Sequence, residues 1–372
     1  MKKFFKIVII TVIIALICLV PKLDILDFFA LNISEEKLST YSEYYFNQLA
    51  LDEQKMYVRI DEAIKNRQEK VFLGLQETED ITEKISKVLE AYFYDNPEYY
   101  YVSNEYVIST SNLKIITYSI LELDYITSAD DEIDVKNKEL EIAIYNLLKE
   151  CITETMTDFE KELAIHDALV ERVNYYEYED INTIPGIKHT AYGALVENEA
   201  VCDGYSKAFK LLLEEAGIYS IIISGSTDNI AHAWNLVKLD DEYYHVDVTS
   251  DKLEEKDKKY VVHAYFNVND EKISKTHVID ENFDYPQCDG TKYEYYTQKG
   301  YAIATKDNLY NKLKDIISKQ KSSNILELKV TEQYSSRKII DALYDLNFNN
   351  WRSNWQTTVS YNKIEDVYVL VK

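Results

Sequence analysis

One cysteine stands where an acidic, polar loop turns into a strongly apolar helix. After Cys202, the segment CDGYSKAFKLLLEEAG has apolar residues at helical spacing, and Gly217 fits a C-terminal stop. This pattern places Cys202 at or just before the first helical turn, where free N–H groups and the helix dipole favour the nucleophilic thiolate. A small apolar residue that begins a buried helix explains the position equally well. The helix alone therefore leaves a catalytic and a structural cysteine open.

A cysteine nucleophile needs a base, and the base needs an orienting group. His232 opens the predicted strand HAWNLVKL, and Asp247 lies in the next strand, EYYHVDVTS, beyond a short acidic turn. A loop of two or four residues pairs Trp234 with Asp247 and His232 with Thr249, so that all four share one face of the sheet. A three-residue loop would separate His232 from Asp247 and defeat the pairing.

The remaining histidines are weaker candidates for catalytic or metal-binding residues. We expect His166 to be a packed, hydrogen-bonded core residue and His189 to lie near a helix start, and we find no acidic partner at a telling spacing for His263 or His277. We assign His245 to the strand face opposite Asp247. A metal site built from His232, Asp247 and His245 is therefore not expected, and no cofactor is implied.

Two further cysteines outside the N-terminal segment carry no such context. Cys151 lies in an apolar helical run and is expected to be a buried, inert thiol, and Cys288 lies in the loop DYPQCDG. With Cys202 they make an odd number without metal-like spacing, so at least one thiol is free.

The order of elements predicts an α+β fold. Helices at 137–150 and 158–174, a short helix in TAYGALVEN and the Cys202 helix precede a run of strands from 219 onward, which predicts a nucleophile helix packed on an antiparallel sheet. Upstream, two helical segments between 36 and 95 precede a β-rich stretch, with the acidic residues at 130–134 as a solvated linker. From about 300, helix, strand, helix and hairpin patterns predict a small α/β appendage.

Three separated blocks then resemble a known family. AYGALVENEAVCDGYSKAFKLLLEEAGI, HAWNLVKLDDEYYHVDVTSD and AYFNVNDEKISKTH look like the transglutaminase-like superfamily of papain-type cysteine enzymes, in its bacterial exported form, over roughly 158–280. The resemblance implies that Cys202 is the nucleophile, His232 the general base and acid, and Asp247 the orienting group. Many relatives have an aromatic residue where this chain has Ser250.

The donors that would stabilise an oxyanion are predicted less directly. The backbone N–H of Cys202 is the natural first donor at a helix start, and Tyr192 and Asn198 are candidates for the second. Trp234, next but one to His232, is expected to shield the site and pack against the imidazole, and a role as an apolar core residue is equally compatible with the sequence.

The N-terminus and the domain pattern predict an exported protein. Lysines at positions 2, 3 and 6 precede fourteen uncharged residues, which predicts a signal anchor or signal peptide over 1–23. The rest would lie outside the membrane, secreted if the signal is cleaved. We predict an N-terminal α+β module at 33–135, a transglutaminase-like catalytic domain at 136–298 and a small C-terminal α/β module at 299–372.

Charge and composition limit the classes of partner and substrate that we expect. A net charge of −24 without a basic stripe argues against nucleic acid, and the 33 tyrosines are scattered as in a tyrosine-rich core and surface. The expected substrates are proteins or peptides, such as cell-wall peptides or surface proteins, attacked at a glutamine carboxamide or a peptide bond. The expected outcome is acyl transfer or hydrolysis through a thioester. A cysteine peptidase or amidase of the same fold, and a non-catalytic cell-surface binding module, are the alternatives.

Overall fold

The computed structural model describes residues 33–76, 81–112, 117–127, 129–255, 258–304, 307–330, 334–346, 358–359 and 367–371. The chain divides into two compact units, Met1–Glu132 and Ile133–Lys372. The predicted signal segment at 1–23 lies outside the described residues. Within the described ranges, none of the helices combines the length and the apolar character that crossing a membrane requires. The domain limits predicted from the sequence, including the boundary at 298/299, stay predictions.

The first unit is an α+β module built on a three-stranded antiparallel sheet with strand order β1-β3-β2. Its described α-helices and strands are α1 (Glu35–Leu38), α2 (Leu51–Lys65), β1 (Lys70–Gln76), α3 (Ile81–Asp95), β2 (Val102–Asn112) and β3 (Thr117–Tyr125). Strand β1, with the sequence KVFLGLQ, was not predicted, because only helices were expected between 36 and 95. The tyrosine-rich core that the composition predicted is present here, because Tyr45, Tyr57 and Tyr92 are almost completely buried.

The second unit contains the remaining elements. Its described helices are α4 (Asp130–Cys151, which begins in the first unit), α5 (Asp158–Arg172), α6 (Ala191–Leu195), α7 (Cys202–Glu215), α8 (Asp270–Ile273), α9 (Tyr295–Gln298), α10 (Leu309–Lys319) and α11 (Ser336–Asp345). Its described strands are β4 (Asn174–Tyr175), β5 (Glu199–Ala200), β6 (Ser220–Thr227), β7 (Ile230–Leu239), β8 (Glu242–Val246), β9 (Lys252–Glu255), β10 (Lys258–Val261), β11 (Phe266–Val268), β12 (His277–Ile279), β13 (Ala302–Ile303), β14 (Ile325–Val330), β15 (Thr358–Val359) and β16 (Val367–Val371).

A five-stranded antiparallel sheet forms the centre of this unit, with strand order β11-β8-β7-β6-β12. Helix α7 packs against β6 and β7, as the α+β prediction required. The β6–β7 hairpin turns at Asp228 and Asn229, which both have positive φ. Two left-handed residues are what a two-residue type I′ turn needs, and Asp and Asn are among the few side chains that tolerate them. The tight turn fixes the register of the strands that follow.

The entry into this unit differs from the sequence prediction. The acidic residues at 130–134 were expected to form a solvated linker, but they form the first turn of α4. Acidic side chains are favoured at a helix N-terminus, which explains why the helix begins earlier than the apolar periodicity indicated. The next helix, α5, begins as predicted with a capping box, in which Thr157 and Glu160 satisfy each other's backbone N–H groups.

The C-terminal segment forms a four-stranded sheet with strand order β13-β14-β16-β15, flanked by α10 and α11. Strands β13 and β14 are parallel, and the other pairs are antiparallel. Apolar residues from both helices and from β14 and β16 share one buried cluster, so this segment has a core of its own. It matches the helix, strand and hairpin order that the sequence predicted.

Candidate active site

Cys202 is the first residue of α7, as the sequence predicted. The preceding residue, Val201, has extended backbone and no capping side chain, so the N–H groups of the first turn remain outside the helical ladder. The helix start is packed tightly, because a Cβ on Gly204 would fall 2.6 Å from the Lys188 carbonyl oxygen. Asn235 on β7 donates to the Ser206 carbonyl at 3.1 Å and ties the first turn of α7 to the sheet. The thiol is half-buried and free.

The β7–β8 hairpin has the register that the sequence predicted. A two-residue turn at Asp240–Asp241 joins Leu239 to its partner Glu242, and the pairing continues to Asn235 opposite Val246. His232 and Asp247 therefore share a face, and His232 Nε2 lies 2.9 Å from Asp247 Oδ2. The Cys202 thiol lies beside the His232 ring and is one of the groups that raise the pKa of this ring. Because Nε2 is engaged by Asp247, Nδ1 is the nitrogen left for the thiol.

Asp247 is buried and surrounded by hydrogen-bond donors. Its Oδ1 accepts from the backbone N–H and the hydroxyl of Thr249, at 3.0 and 2.6 Å, and from the Ser250 N–H at 3.2 Å. Its Oδ2 accepts from the Ser250 hydroxyl at 2.5 Å in addition to His232. Ser250, which departs from the family pattern, is thus a direct partner of this carboxylate. So many donors stabilise the charged form and hold its orientation.

The electrostatics of the pair favour an imidazolium. Burial on its own would lower the pKa of His232, but Asp247 and then Cys202 outweigh burial and raise this pKa to about 10. Burial would likewise raise the pKa of Asp247, but the neighbouring His232 and His277 rings hold it well below its usual range. At neutral pH the site therefore contains a charged His232 between an anionic carboxylate and the thiol.

Trp234 packs on the imidazole, but its polar atom is used elsewhere. Its ring is stacked on His232 with centroids 5.9 Å apart and is almost completely buried, which fits both the shielding and the core role that the sequence allowed. Its indole N–H donates to His245 Nδ1 at 3.0 Å. The predicted face of His245 was therefore wrong. Residues two apart in a strand point to the same side, so His245 and Asp247 share a face.

His277 and His263 were also misjudged, because both have acidic partners. His277 Nε2 lies 3.0 Å from Asp247 Oδ2, the same oxygen that His232 contacts. His263 lies between two carboxylates, with Nδ1 2.8 Å from Glu327 and Nε2 3.0 Å from Asp167. Spacing in the sequence gave no signal for either contact, because each joins segments 30 or more residues apart.

The other two histidines lie where the sequence placed them. His166 is fully buried, and its Nδ1 is 3.0 Å from Asp167 Oδ1, in agreement with a packed core role. His189 precedes α6 and lies 2.9 Å from Asp203, the residue after the nucleophile candidate. Burial would raise the pKa of Asp203, but Lys207 and His189 lower it, so this carboxylate is charged and already paired. Neither histidine contacts the His232 ring in the described structure.

The two side chains predicted as oxyanion donors, Tyr192 and Asn198, both have other hydrogen-bond partners. The Tyr192 hydroxyl is committed to the Glu139 carboxylate, and the Asn198 amide donates to the Val196 carbonyl at 3.4 Å while its backbone has a positive φ of 55°. The structure brings a different side chain to the thiol. Tyr175, on β4 opposite Ala200, lies beside the Cys202 thiol, and burial followed by this thiol raises the pKa of Tyr175. No pattern in the sequence predicted this contact.

The two other described cysteines differ from Cys202. Cys151 is half-buried at the end of α4 rather than fully buried as predicted, and burial raises the pKa of its thiol. Cys288 is fully buried, and burial followed by the Asp270 charge raises its pKa strongly. Both effects favour the unreactive thiol. Cys202 is the described cysteine that contacts a histidine with a raised pKa.

Three clusters among the described residues bring metal-binding side chains together, namely His166–Asp167–His263, His232–Asp247–His277 and His245–Asp270–Cys288. Hydrogen bonding accounts for each of them. His263 has a carboxylate on both ring nitrogens, so both carry protons. The indole N–H of Trp234 forces the His245 proton onto Nε2, where it faces Asp270 at 2.8 Å. The contacts to Asp247 have ordinary N–H···O lengths. The absence of a metal stays a prediction, tested below.

Comparison with known proteins identifies the class of this domain. Residues 145–248 match the model of the transglutaminase-like superfamily, and this segment includes Cys202, His232 and Asp247. The chain therefore carries a transglutaminase-like domain. No curated protein matches the chain significantly.

Several solved structures share part of the fold at low similarity. A TGase has 15% identity and a TM-score of 0.29, and 41% of this chain aligns with 46% of it. A protein described as a candidate cysteine protease from Cytophaga hutchinsonii has 14% identity and a TM-score of 0.24, and 40% of this chain aligns with 63% of it. Menin has 15% identity and a TM-score of 0.24, and 58% of this chain aligns with 42% of it. The chain thus spans less than two thirds of each, and these likenesses carry no argument about activity.

Proposed function

We propose that this chain is a cysteine enzyme in which Cys202 is the nucleophile, His232 the general base and acid, and Asp247 the orienting group. One observation supports this assignment above all. The His232 ring is held by the Asp247 carboxylate at 2.9 Å on one nitrogen and meets the Cys202 thiol at the start of α7. A non-catalytic binding module has no need for these three groups in this order.

The reaction proposed is acyl transfer through a thioester. The Cys202 thiolate attacks a carboxamide or peptide carbonyl carbon, and the charged His232 gives its proton to the nitrogen that leaves as ammonia or an amine. The C–N bond breaks and a thioester forms on the sulfur. Neutral His232 then removes a proton from an incoming amine or water, which displaces the thiolate and restores the ion pair. The proposed first donor to the oxyanion is the backbone N–H of Cys202 at the start of α7.

A cavity beside the site supplies a place for the acyl donor or acceptor. It has a volume of about 670 Å³, and its lining includes Tyr175, which contacts the nucleophile, and Thr249, which contacts the orienting carboxylate. Three glutamates, at positions 177, 199 and 254, and two lysines, at 252 and 259, complete its charged lining. The lysines donate to the Val173 carbonyl and to Asn174. An acceptor with a free amine, such as a lysine side chain, suits such a lining.

The expected site of action is outside the membrane. We propose this from the basic and apolar sequence at 1–23 alone, and with it that the substrates are proteins or peptides of the cell surface, including cell-wall peptides. Extraction of membranes with alkaline carbonate and the mass of the mature N-terminus distinguish an uncleaved anchor from a cleaved signal. Recovery of the uncleaved chain in the cytoplasm would contradict the proposal.

The reaction is tested with a glutamine-containing peptide and a primary amine. We expect ammonia release as a thioester adduct forms on Cys202, detected by mass spectrometry. The adduct then passes to the amine in a crosslinking enzyme, or is hydrolysed to a glutamate side chain in a deamidase. Cleavage of the peptide chain would instead identify a peptidase of the same fold. Cys202→Ala should abolish every product, whereas Cys288→Ala, the matched control, should retain them. Equal loss in both variants, or no adduct with any carboxamide or peptide, would contradict the proposal.

A further inference from the structure

One oxygen of Asp247 serves two histidines. Its Oδ2 lies 2.9 Å from His232 Nε2 and 3.0 Å from His277 Nε2, and the two rings are 5.5 Å apart. We propose that His277 is a positioning residue of the active site, which shares this carboxylate oxygen with His232 and limits how strongly Asp247 holds the His232 proton. This inference rests on the proposed function, in which His232 must release that proton in every turnover.

The fold brings His277 to this oxygen across strand β6, which lies between the strands of the two histidines. Strand β12 pairs with β6, and β6 pairs with β7, so that Gly225 lies opposite both Ile279 and His232. His277, two residues before Ile279, is therefore on the same face as His232, and the β6 residue opposite His232 on that face is a glycine. A Cβ on Gly225 would fall 2.8 Å from the Trp234 ring and 2.1 Å from the Val278 carbonyl oxygen. The missing side chain leaves room for the Trp234 ring, which packs against both histidine rings.

The contacts of His277 fix the direction of its ring. Its Nε2 faces the carboxylate of Asp247, which can only accept, so this nitrogen carries a proton and donates it. Its Nδ1 is 2.8 Å from the Thr276 hydroxyl. His277 is almost completely buried, with its ring edge-on to Trp234 at 4.8 Å and to Tyr265 at 5.4 Å. The Nε2–H group of His277 therefore points at Asp247, and the ring cannot rotate away without losing these aromatic contacts.

The effect of this second donor follows from simple electrostatics. An N–H group that donates to a carboxylate oxygen draws charge from it, so the same oxygen attracts a second proton donor less strongly. The titratable groups that face the two rings are Cys202 on α7, Asp247 after β8, His245 on β8 and Tyr265 before β11. Of these, Asp247 is the one that both rings touch. When His232 has given up its proton, His277 and the Ser250 hydroxyl remain as donors to this oxygen.

The test compares two replacements of His277 in the full chain. His277→Phe fills the ring volume and keeps the aromatic packing but removes the donor, whereas His277→Gln keeps an N–H near the position of Nε2. We expect the titration midpoint of His232, followed by NMR of the ring, to move up by roughly one pH unit in His277→Phe. The kcat should fall by about three- to tenfold, since His232 releases its proton less readily. His277→Gln should stay close to wild type in both measurements.

Controls separate this role from a structural one. Val278→Ala, an exposed neighbour on the same strand, should leave the His232 midpoint unchanged, and His277→Leu repeats the test if His277→Phe does not fold. An unchanged midpoint in both apolar variants, or equal effects of His277→Phe and His277→Gln, would overturn the inference. So would one bound metal ion per purified chain that is lost with His277. A shift of the His232 midpoint without any turnover would support the role of His277 and reject the proposed function. Turnover without a shift of this midpoint would support the proposed function and overturn the role of His277.

Discussion

Asp247→Asn removes the charge that holds His232 in its protonated form. The folded protein raises the pKa of His232 from 6.5 to about 10, which corresponds to about 5 kcal/mol at about 1.36 kcal/mol per pH unit. Asp247 is the largest of the groups that raise it, and burial works in the opposite direction. Without the carboxylate charge, we expect the pKa of His232 to fall to about 6.5 or below. At pH 8 the imidazolium fraction should then drop from nearly all to roughly 3% or less.

The assay is alkylation of Cys202 by iodoacetamide, followed by mass spectrometry, because it needs no substrate. The rate at pH 8 should fall more than tenfold in Asp247→Asn, and turnover should fall by about 10³- to 10⁴-fold, as expected when a triad loses its orienting charge. Asp270→Asn is the matched control, since Asp270 makes a similar 2.8 Å contact to His245. An alkylation rate within twofold of wild type in Asp247→Asn, or an equal loss in Asp270→Asn, would refute the reasoning.

Three further predictions concern the surroundings of the site. Gly225→Ala should lower stability by about 1–3 kcal/mol in urea unfolding, because its Cβ overlaps the Trp234 ring, and an unchanged midpoint would contradict this packing. Tyr175→Phe should lower kcat/KM by about ten- to a hundredfold without a change in Tm, since it removes the hydroxyl beside the nucleophile. The pKa of His263 is raised to about 10 against burial, by Glu327 first, so its stabilising contribution is complete below pH 6.5 and is lost as pH rises through about 10. Glu327→Gln should flatten this alkaline loss of stability, and an unchanged slope would argue against the buried pair.

The hairpin that carries His232 and Asp247 could be predicted because its information is local. The strands alternate, and the short acidic turn between them limits the register to a few choices. The nucleophile helix was predictable for the same reason, since its apolar period and Gly217 lie within one short segment. The error with His245 was one of strand geometry rather than of missing information, because residues two apart always share a face.

The contacts that sequence reasoning missed depend on tertiary structure. His277 reaches Asp247 only because β12 returns to pair with β6, at the far edge of the sheet from β11. Tyr175 reaches Cys202 through a two-residue parallel pair with β5, too short to leave a periodic signal. Strand β1 was hidden between two strongly periodic helices. Strand pairing across long loops is set by packing of the whole unit, which no local pattern contains.

The central claim is that Cys202 and His232 form a reactive pair, and a thiol-directed acylating probe tests it most directly. The full chain is treated at neutral pH, and the adducts are mapped by mass spectrometry in wild type and in His232→Ala. Among the three described cysteines, the account predicts labelling at Cys202 alone, lost in His232→Ala, with Cys151 and Cys288 unlabelled in both. Equal labelling of Cys202 and another cysteine, unaffected by His232→Ala, would contradict it.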